Sequence, residues 1–209
     1  MWWPALLAMH RHPDDGYLYL FADANQNLYG GSLPIGDEDR IGPMGHNLRN
    51  TKQIAEFVSV FFDGEEKPAS KGPSGRPVEV LGYEDDDALL RLTATVLRNL
   101  VDGERVPLED IALLTPSGTG KSRLRSHAEI GGYRLSETVG PGTLLATSVH
   151  GFKGLERPVV ILAELGDKHE EDLRRYLYVG ASRARNHLIV LATEGVAREL
   201  RRLAGVTGP

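Results

Sequence analysis

The sequence predicts an α/β fold built on a mostly parallel sheet, and three observations carry that prediction. Thr143–Thr147, Val159–Ala163 and His187–Ala192 are apolar runs rich in β-branched residues. Strands buried on both faces of a parallel sheet read this way. A helical stretch ending in Tyr178-Val179-Gly180-Ala181-Ser182-Arg183-Ala184-Arg185 separates the second run from the third. Between the first and second lies a turn with Gly151, Gly154, His150, Lys153 and Glu156. In open α/β sheets such glycine-flanked polar residues gather at the carboxyl ends of strands, where ligands bind. A glutamate in that turn suits a ribose hydroxyl, and an arginine at a helix end suits a phosphate held in a planar fork. Taken singly, the same residues also read as a shaped turn and solvated charges.

Bulk properties set the bounds. With 209 residues the chain is long enough for one large or two small domains with a real core. It has no cysteine, which excludes disulfides and thiolate metal sites. The histidines show no metal-ligand spacing, so no metal site is expected. No apolar run has the length of a membrane span, and the first residues lack the basic flank of a signal peptide. The expected location is the cytoplasm, with no membrane partner. The net charge of −5 neither recruits nor excludes nucleic acid, so any DNA contact is a local groove.

In chain order, Trp2–Arg11 reads as an apolar helix, Pro13–Gly16 as a turn and Tyr17–Ala22 as a buried strand. Asp23-Ala24-Asn25-Gln26 follows, and Gly30–Gly45 is a connection broken by glycine and proline. Lys52–Phe62 places Ile54, Phe57, Val58 and Phe61 at helical spacing after an Asn50 or Thr51 N-cap. Asp63–Pro77 reads as a loop and Val78–Leu81 as a strand. Asp85–Val101 reads as an amphipathic helix with aspartates at its positive end, and Leu89, Leu92, Val96 and Leu100 form its apolar face. Ile111–Leu114 is a further strand, Arg123–Glu129 the end of a short helix, and Glu194–Leu203 the last helix.

Two segments carry a resemblance. His150-Gly151-Phe152-Lys153-Gly154-Leu155-Glu156-Arg157-Pro158 and, downstream, Arg174–Arg185 resemble motifs V and VI of superfamily 1 DNA helicases of the UvrD/Rep type. Asp23–Gln26 is similar to motif III of that family, and Asn47-Leu48-Arg49-Asn50-Thr51 to motif IV. The resemblance runs from about Trp2 to Leu203. It implies a RecA-like P-loop NTPase fold with helices on both faces of the sheet. Residues 1–45 would then be a remnant of the first RecA-like motor domain, and residues 46–209 the second. No room exists before Thr143 for the accessory domain inserted in larger members, so the compact members are the nearer likeness.

The resemblance also implies roles. Gln26, Arg49 and Arg183 would be catalytic groups facing the γ-phosphate of ATP. Gly154 and Glu156 would join them in nucleotide binding, with Glu156 toward the ribose. Tyr29, Thr147 and His150 would touch single-stranded DNA. Leu48 stands where many members carry an aromatic residue against the base. The family's phosphate loop and Mg²⁺-binding carboxylates have no counterpart before Asp23. The chain is therefore expected to be a fragment that hydrolyses nothing alone, with Mg²⁺ bound only in company of a first RecA-like domain. The family's work includes DNA repair.

Two other readings stand beside this one. Gly118-Thr119-Gly120-Lys121-Ser122 follows a strand and ends as a phosphate loop does, with Glu164 as a metal-side carboxylate. That would make the chain a stand-alone P-loop ATPase or kinase, although Thr115 stands where the first glycine belongs. Alternatively, exposed apolar surface near Trp2, Trp3 and Tyr17–Phe21 would make it a non-catalytic interaction module.

Overall fold

The structure is a computed structural model and describes residues 4, 8, 9, 19, 21, 23–26, 42, 45–64, 66–166 and 170–206. In chain order its elements are β1 (His46–Asn47), α1 (Lys52–Ser59), β2 (Ala69–Ser70), β3 (Glu79–Tyr83), α2 (Asp86–Arg98), β4 (Ile111–Thr115) and β5 (Glu129–Ile130). Then come β6 (Tyr133–Ser136), β7 (Leu144–Ser148), β8 (Arg157–Leu165), α3 (Glu170–Ala181), β9 (Ala184–Thr193) and α4 (Glu194–Ala204). The main sheet runs β3-β9-β8-β4-β7-β6-β5. Every neighbouring pair is parallel except β5 with β6.

The central strands are apolar throughout because both of their faces are covered. Val160, Leu162, Leu188 and Val190 pack with Ile54, Phe57, Leu177 and Leu200, so α1, α3 and α4 cover one face. Val159, Ile161, Ile189 and Leu191 alternate with them and pack with Leu89, Val96 and Leu97 of α2 on the other. A polar residue in either set would lose its water without gaining a partner. Asp85 caps α2, its carboxylate accepting from the Ala88 N–H at 2.7 Å, and Asp86 and Asp87 occupy the first turn. The buried stripe of α2 is Leu89, Thr93, Val96 and Leu97; Leu92 is only partly covered.

Several expectations need correction. Tyr19 and Phe21 lie outside any strand and are 65% and 81% exposed, because neither pairs with a described strand. The rest of the expected strand Tyr17–Ala22, most of the expected helix Trp2–Arg11 and nearly all of 30–45 lie outside the described residues, as does Tyr29. The short helix expected over Arg123–Glu129 is a single 3-10 turn, Leu124–Ser126, and β5 follows it. The hairpin of β5 and β6 went unread, as did the small parallel pair of β1 and β2. Each has a two-residue strand, too short to show periodicity.

The expected placement of the whole site at carboxyl strand ends is also corrected. Glu156 immediately precedes β8 and Arg183 immediately precedes β9, and Arg157 and Ala184 pair in register. Those two residues stand at the amino edge of the sheet. Thr147 and Ser148 end β7 at the carboxyl edge, where Ser148 pairs with Thr115. Residues 149–156 therefore cross from one edge to the other. Val149 and Phe152, both fully buried, hold that crossing against the core.

Candidate nucleotide-facing site

Five segments converge at the amino edge of β8 and β9. The first is the turn of Asp23–Gln26, whose 3-10 helix covers Ala24–Gln26. An Asp at this position closes the turn on its own backbone: Asp23 Oδ1 accepts from Asn25 N–H at 3.0 Å, and the Asp23 carbonyl accepts from Gln26 N–H at 3.1 Å. The second segment is Asn47–Thr51, tied to the third at β9. The buried Asn50 amide donates to the carbonyls of Ser182 at 3.0 Å and Ala184 at 2.6 Å. The Thr51 N–H donates to the Arg185 carbonyl at 3.0 Å. Thr51 is the N-cap of α1, but its hydroxyl makes no capping bond. The fourth segment is Gly154–Glu156, and the fifth is the last turn of α3 with Tyr178 and Ser182.

Arg183 sits at the centre and is 2% exposed. Its Nε donates to the Val179 carbonyl at 3.0 Å, and its Nη2 donates to Ser182 Oγ at 3.1 Å and to Gln26 Oε1 at 2.7 Å. Among the described residues all of these acceptors are neutral. Burial, then the like charge of Arg49, pushes the guanidinium below its ordinary value, while Asp23, Glu156 and Tyr178 push the other way. A guanidinium stays protonated through such a shift. The result is a fixed cation, mostly desolvated, with no carboxylate among the described residues bonded to it.

Glu156 lies between two arginines, at 3.5 Å from Arg49 Nε and 3.7 Å from Arg185 Nη1. All of these side chains are about half exposed, so the pairs are weak and exchangeable. Gly154 has φ +86°, a left-handed conformation that favours glycine, and nothing lies within 4 Å of where a Cβ would stand. Gln26, Arg49, Gly154, Glu156 and Arg183 are thus brought to one edge, in a setting with three arginines and two carboxylates, Asp23 and Glu156.

Asp23 and Tyr178 were missed in the sequence. Asp23 Oδ2 accepts from Gln26 Nε2 at 2.7 Å and from the Tyr178 hydroxyl at 3.0 Å. Burial raises the Tyr178 hydroxyl well above its ordinary value, with the Asp23 charge adding to it, so this hydroxyl remains a donor. The available signal was the position of Asp23 at the head of the same four residues as Gln26; Tyr178 gave none beyond lying five residues before Arg183.

Thr147 and His150 stand apart from this cluster, toward the carboxyl edge. The His150 ring meets the Tyr176 ring edge-on at 5.7 Å. A Cβ on Gly151 would come within 2.8 Å of Thr147 Oγ1, so glycine there lets the turn fold back on β7.

The stretch that resembled a phosphate loop is built differently. A phosphate loop leads into a helix whose N–H groups face the anion. Here Thr119–Lys121 and Leu124–Ser126 are isolated 3-10 turns. Glu164 Oε1 accepts from Ser122 Oγ at 2.8 Å and from the Leu124 N–H at 2.6 Å. Glu164 has φ +61°, a strained conformation for its type. It stands at the irregularity between Leu162 and Leu165, where its side chain meets the loop. The hydroxyl and carboxylate that would serve Mg²⁺ are spent on each other. Among the described residues no group of three or more His, Asp or Glu could hold a metal ion. Among them, too, no helix is long and apolar enough to cross a membrane.

Comparison with known proteins agrees with the motif reading. Residues 143–191 match the family described as UvrD-like helicase C-terminal domain. Among solved structures, the chain is similar to the C-terminal domain of a possible DNA helicase from Lactobacillus plantarum WCFS1. The TM-score is 0.53 at 21% identity, over 70% of this chain and 87% of that one. At that identity the likeness shows the fold, an α/β RecA-like arrangement. No curated protein matches the sequence.

Proposed function

We propose, from the premise that residues 143–191 carry a UvrD-like helicase C-terminal domain, that the chain is the second motor domain of an ATP-dependent DNA helicase. In this reading the Arg183 cluster faces the γ-phosphate of ATP held by a first RecA-like domain. The observation that carries it is Arg183 itself, buried with neutral partners and joined to Gln26. A buried cation without a bonded carboxylate is costly unless an anion completes it.

The chemistry follows from what these side chains can do. Arg183 offers a rigid donor fork to a phosphate without reorganising, which suits charge that develops during phosphoryl transfer. Arg49 moves from Glu156 to the phosphate at little cost, since an exposed ion pair contributes about 0–1 kcal/mol. Glu156, still beside Arg185, turns to the ribose hydroxyls. Leu48 is 72% exposed next to Arg49 and offers an aliphatic surface to the base rather than a stacking ring. The phosphate loop and the Mg²⁺ carboxylates belong to the first domain. Thr147 and His150, at the other edge, contact phosphates of single-stranded DNA, which positions the strand and reads no sequence.

The test is reconstitution. The chain is mixed with a UvrD-type first RecA-like domain, and DNA-dependent ATP hydrolysis is measured. Hydrolysis by the pair and by neither part alone is expected. Arg183→Ala should lower it on the order of a thousandfold. Undiminished turnover in Arg183→Ala would remove this assignment.

A further inference from the structure

We propose that Tyr178 is a positioning residue which, through Asp23, fixes the side-chain amide of Gln26 so that one of its N–H groups faces the anion beside Arg183. The proposal rests on the nucleotide reading above and gives a role to Tyr178, which lies within the Arg174–Arg185 stretch without one assigned to it.

The geometry carries it. A glutamine amide has an accepting end and a donating end, and it turns over easily when its neighbours can do both. Here each end meets a group of one polarity. Arg183 Nη2 can only donate, and it donates to Oε1 at 2.7 Å. The Asp23 carboxylate can only accept, and it accepts from Nε2 at 2.7 Å. A flipped amide would set N–H against guanidinium and carbonyl against carboxylate. The orientation is therefore fixed, and among the described residues the second hydrogen on Nε2 meets no acceptor and remains for a ligand.

Asp23 needs holding in turn. It belongs to a short turn, and its Oδ2, which takes the Gln26 amide, also accepts from the Tyr178 hydroxyl at 3.0 Å. Tyr178 is 9% exposed, lies in α3 and has its ring 6.0 Å from that of Phe62. The α3 helix thus presents two groups to the turn: Tyr178 to Asp23, and Arg183, just past its end, to Gln26. Without the hydroxyl, Asp23 keeps only the Asn25 N–H at Oδ1 and the Gln26 amide itself at Oδ2, so the hold on the amide's polarity weakens. Arg183 keeps its bonds to Val179 and Ser182.

The experiment follows the side-chain amide of Gln26 and the Nε–H of Arg183 by nitrogen-15 NMR during titration with millimolar MgATP of the chain paired with the same UvrD-type first RecA-like domain, without DNA. In the parent chain both signals should shift and saturate together. Tyr178→Phe keeps the ring and should weaken binding roughly threefold to tenfold, the range for one hydrogen bond. In a Gln26→Ala background the same change should have no further effect. An equal loss in both backgrounds would overturn the proposal, because Tyr178 would then act on the fold and not on Gln26, while the nucleotide reading would stand. Saturable shifts at Arg183 with none at Gln26 would also overturn it alone. Absence of any shift would overturn both.

Discussion

Arg183 Nη2 and Gln26 Oε1 are joined at 2.7 Å across 157 positions of sequence. Neither residue announces the other locally. Their meeting depends on β9 starting where α3 ends and on Asn50 fastening the upstream segment to the same corner. The bond ties the turn of Asp23–Gln26 to the end of α3, two pieces that the motif reading had both turned toward the γ-phosphate.

Asn50→Ala should be among the most damaging single changes at this corner. It removes two buried donors and leaves the carbonyls of Ser182 and Ala184 without them. The expected cost is about 2–4 kcal/mol, the penalty for buried groups left unmade. Urea unfolding measures it. A midpoint unchanged from the parent chain would mean that the amide does not hold β9.

Lys121→Ala should leave stability and nucleotide binding as they are, since Lys121 is exposed on a 3-10 turn. Ser122→Ala should cost about 1 kcal/mol of stability by removing the bond to Glu164. Loss of MgATP binding in Lys121→Ala, followed by equilibrium dialysis, would revive the stand-alone phosphate-loop reading.

The strand sequences made the centre of the fold legible. Val159–Ala163 and His187–Ala192 are continuous apolar runs, and they lie side by side as β8 and β9, covered on both faces. Helices α1 and α2 followed from spacing and, for α2, from the aspartates at its start. What stayed hidden depends on partners distant in sequence. The turn at Leu124–Ser126 looked helical, but its backbone is captured by Glu164, 40 residues away. Tyr178 reaches Asp23 over 155 positions. The motifs supplied Gln26, Arg49, Glu156 and Arg183, yet not the sheet edge at which they meet, because that depends on how 149–156 crosses the fold.

Acid should weaken the β3–β9 edge through Glu79. Its carboxyl accepts from His187 Nε2 at 2.8 Å, and that bond holds it below its ordinary value of 4.5 although burial opposes the shift. A carboxyl depressed in the folded state contributes stability that is present above its unfolded value. That stability is lost as pH falls through the folded value. Glu79→Gln should therefore lose less stability than the parent chain when pH drops below about 4.5. Equal losses in urea titrations above and below that pH would refute the link.

Gly180→Ala should destabilise the chain although it sits in α3. A Cβ there would lie 2.8 Å from Leu162 Cδ1 and 3.3 Å from Val149 Cγ2. Alanine favours a helix by about 1 kcal/mol over glycine, but crowding a packed core costs about 1–3 kcal/mol. The net loss of about 1 kcal/mol should lower the melting temperature by about 2–4 °C for a chain of this size. A higher melting temperature would show that Leu162 yields freely.

The crossing of 149–156 has a mechanical meaning. Phe152 and Val149 are locked in the core midway along it, and their packing leaves no slack to absorb displacement. A load at Glu156 cannot be relieved by the strap bending. In the reading proposed above, the domain acts as a stiff beam between its two edges, so what a first domain does at Glu156 is expected to reach Thr147 as travel.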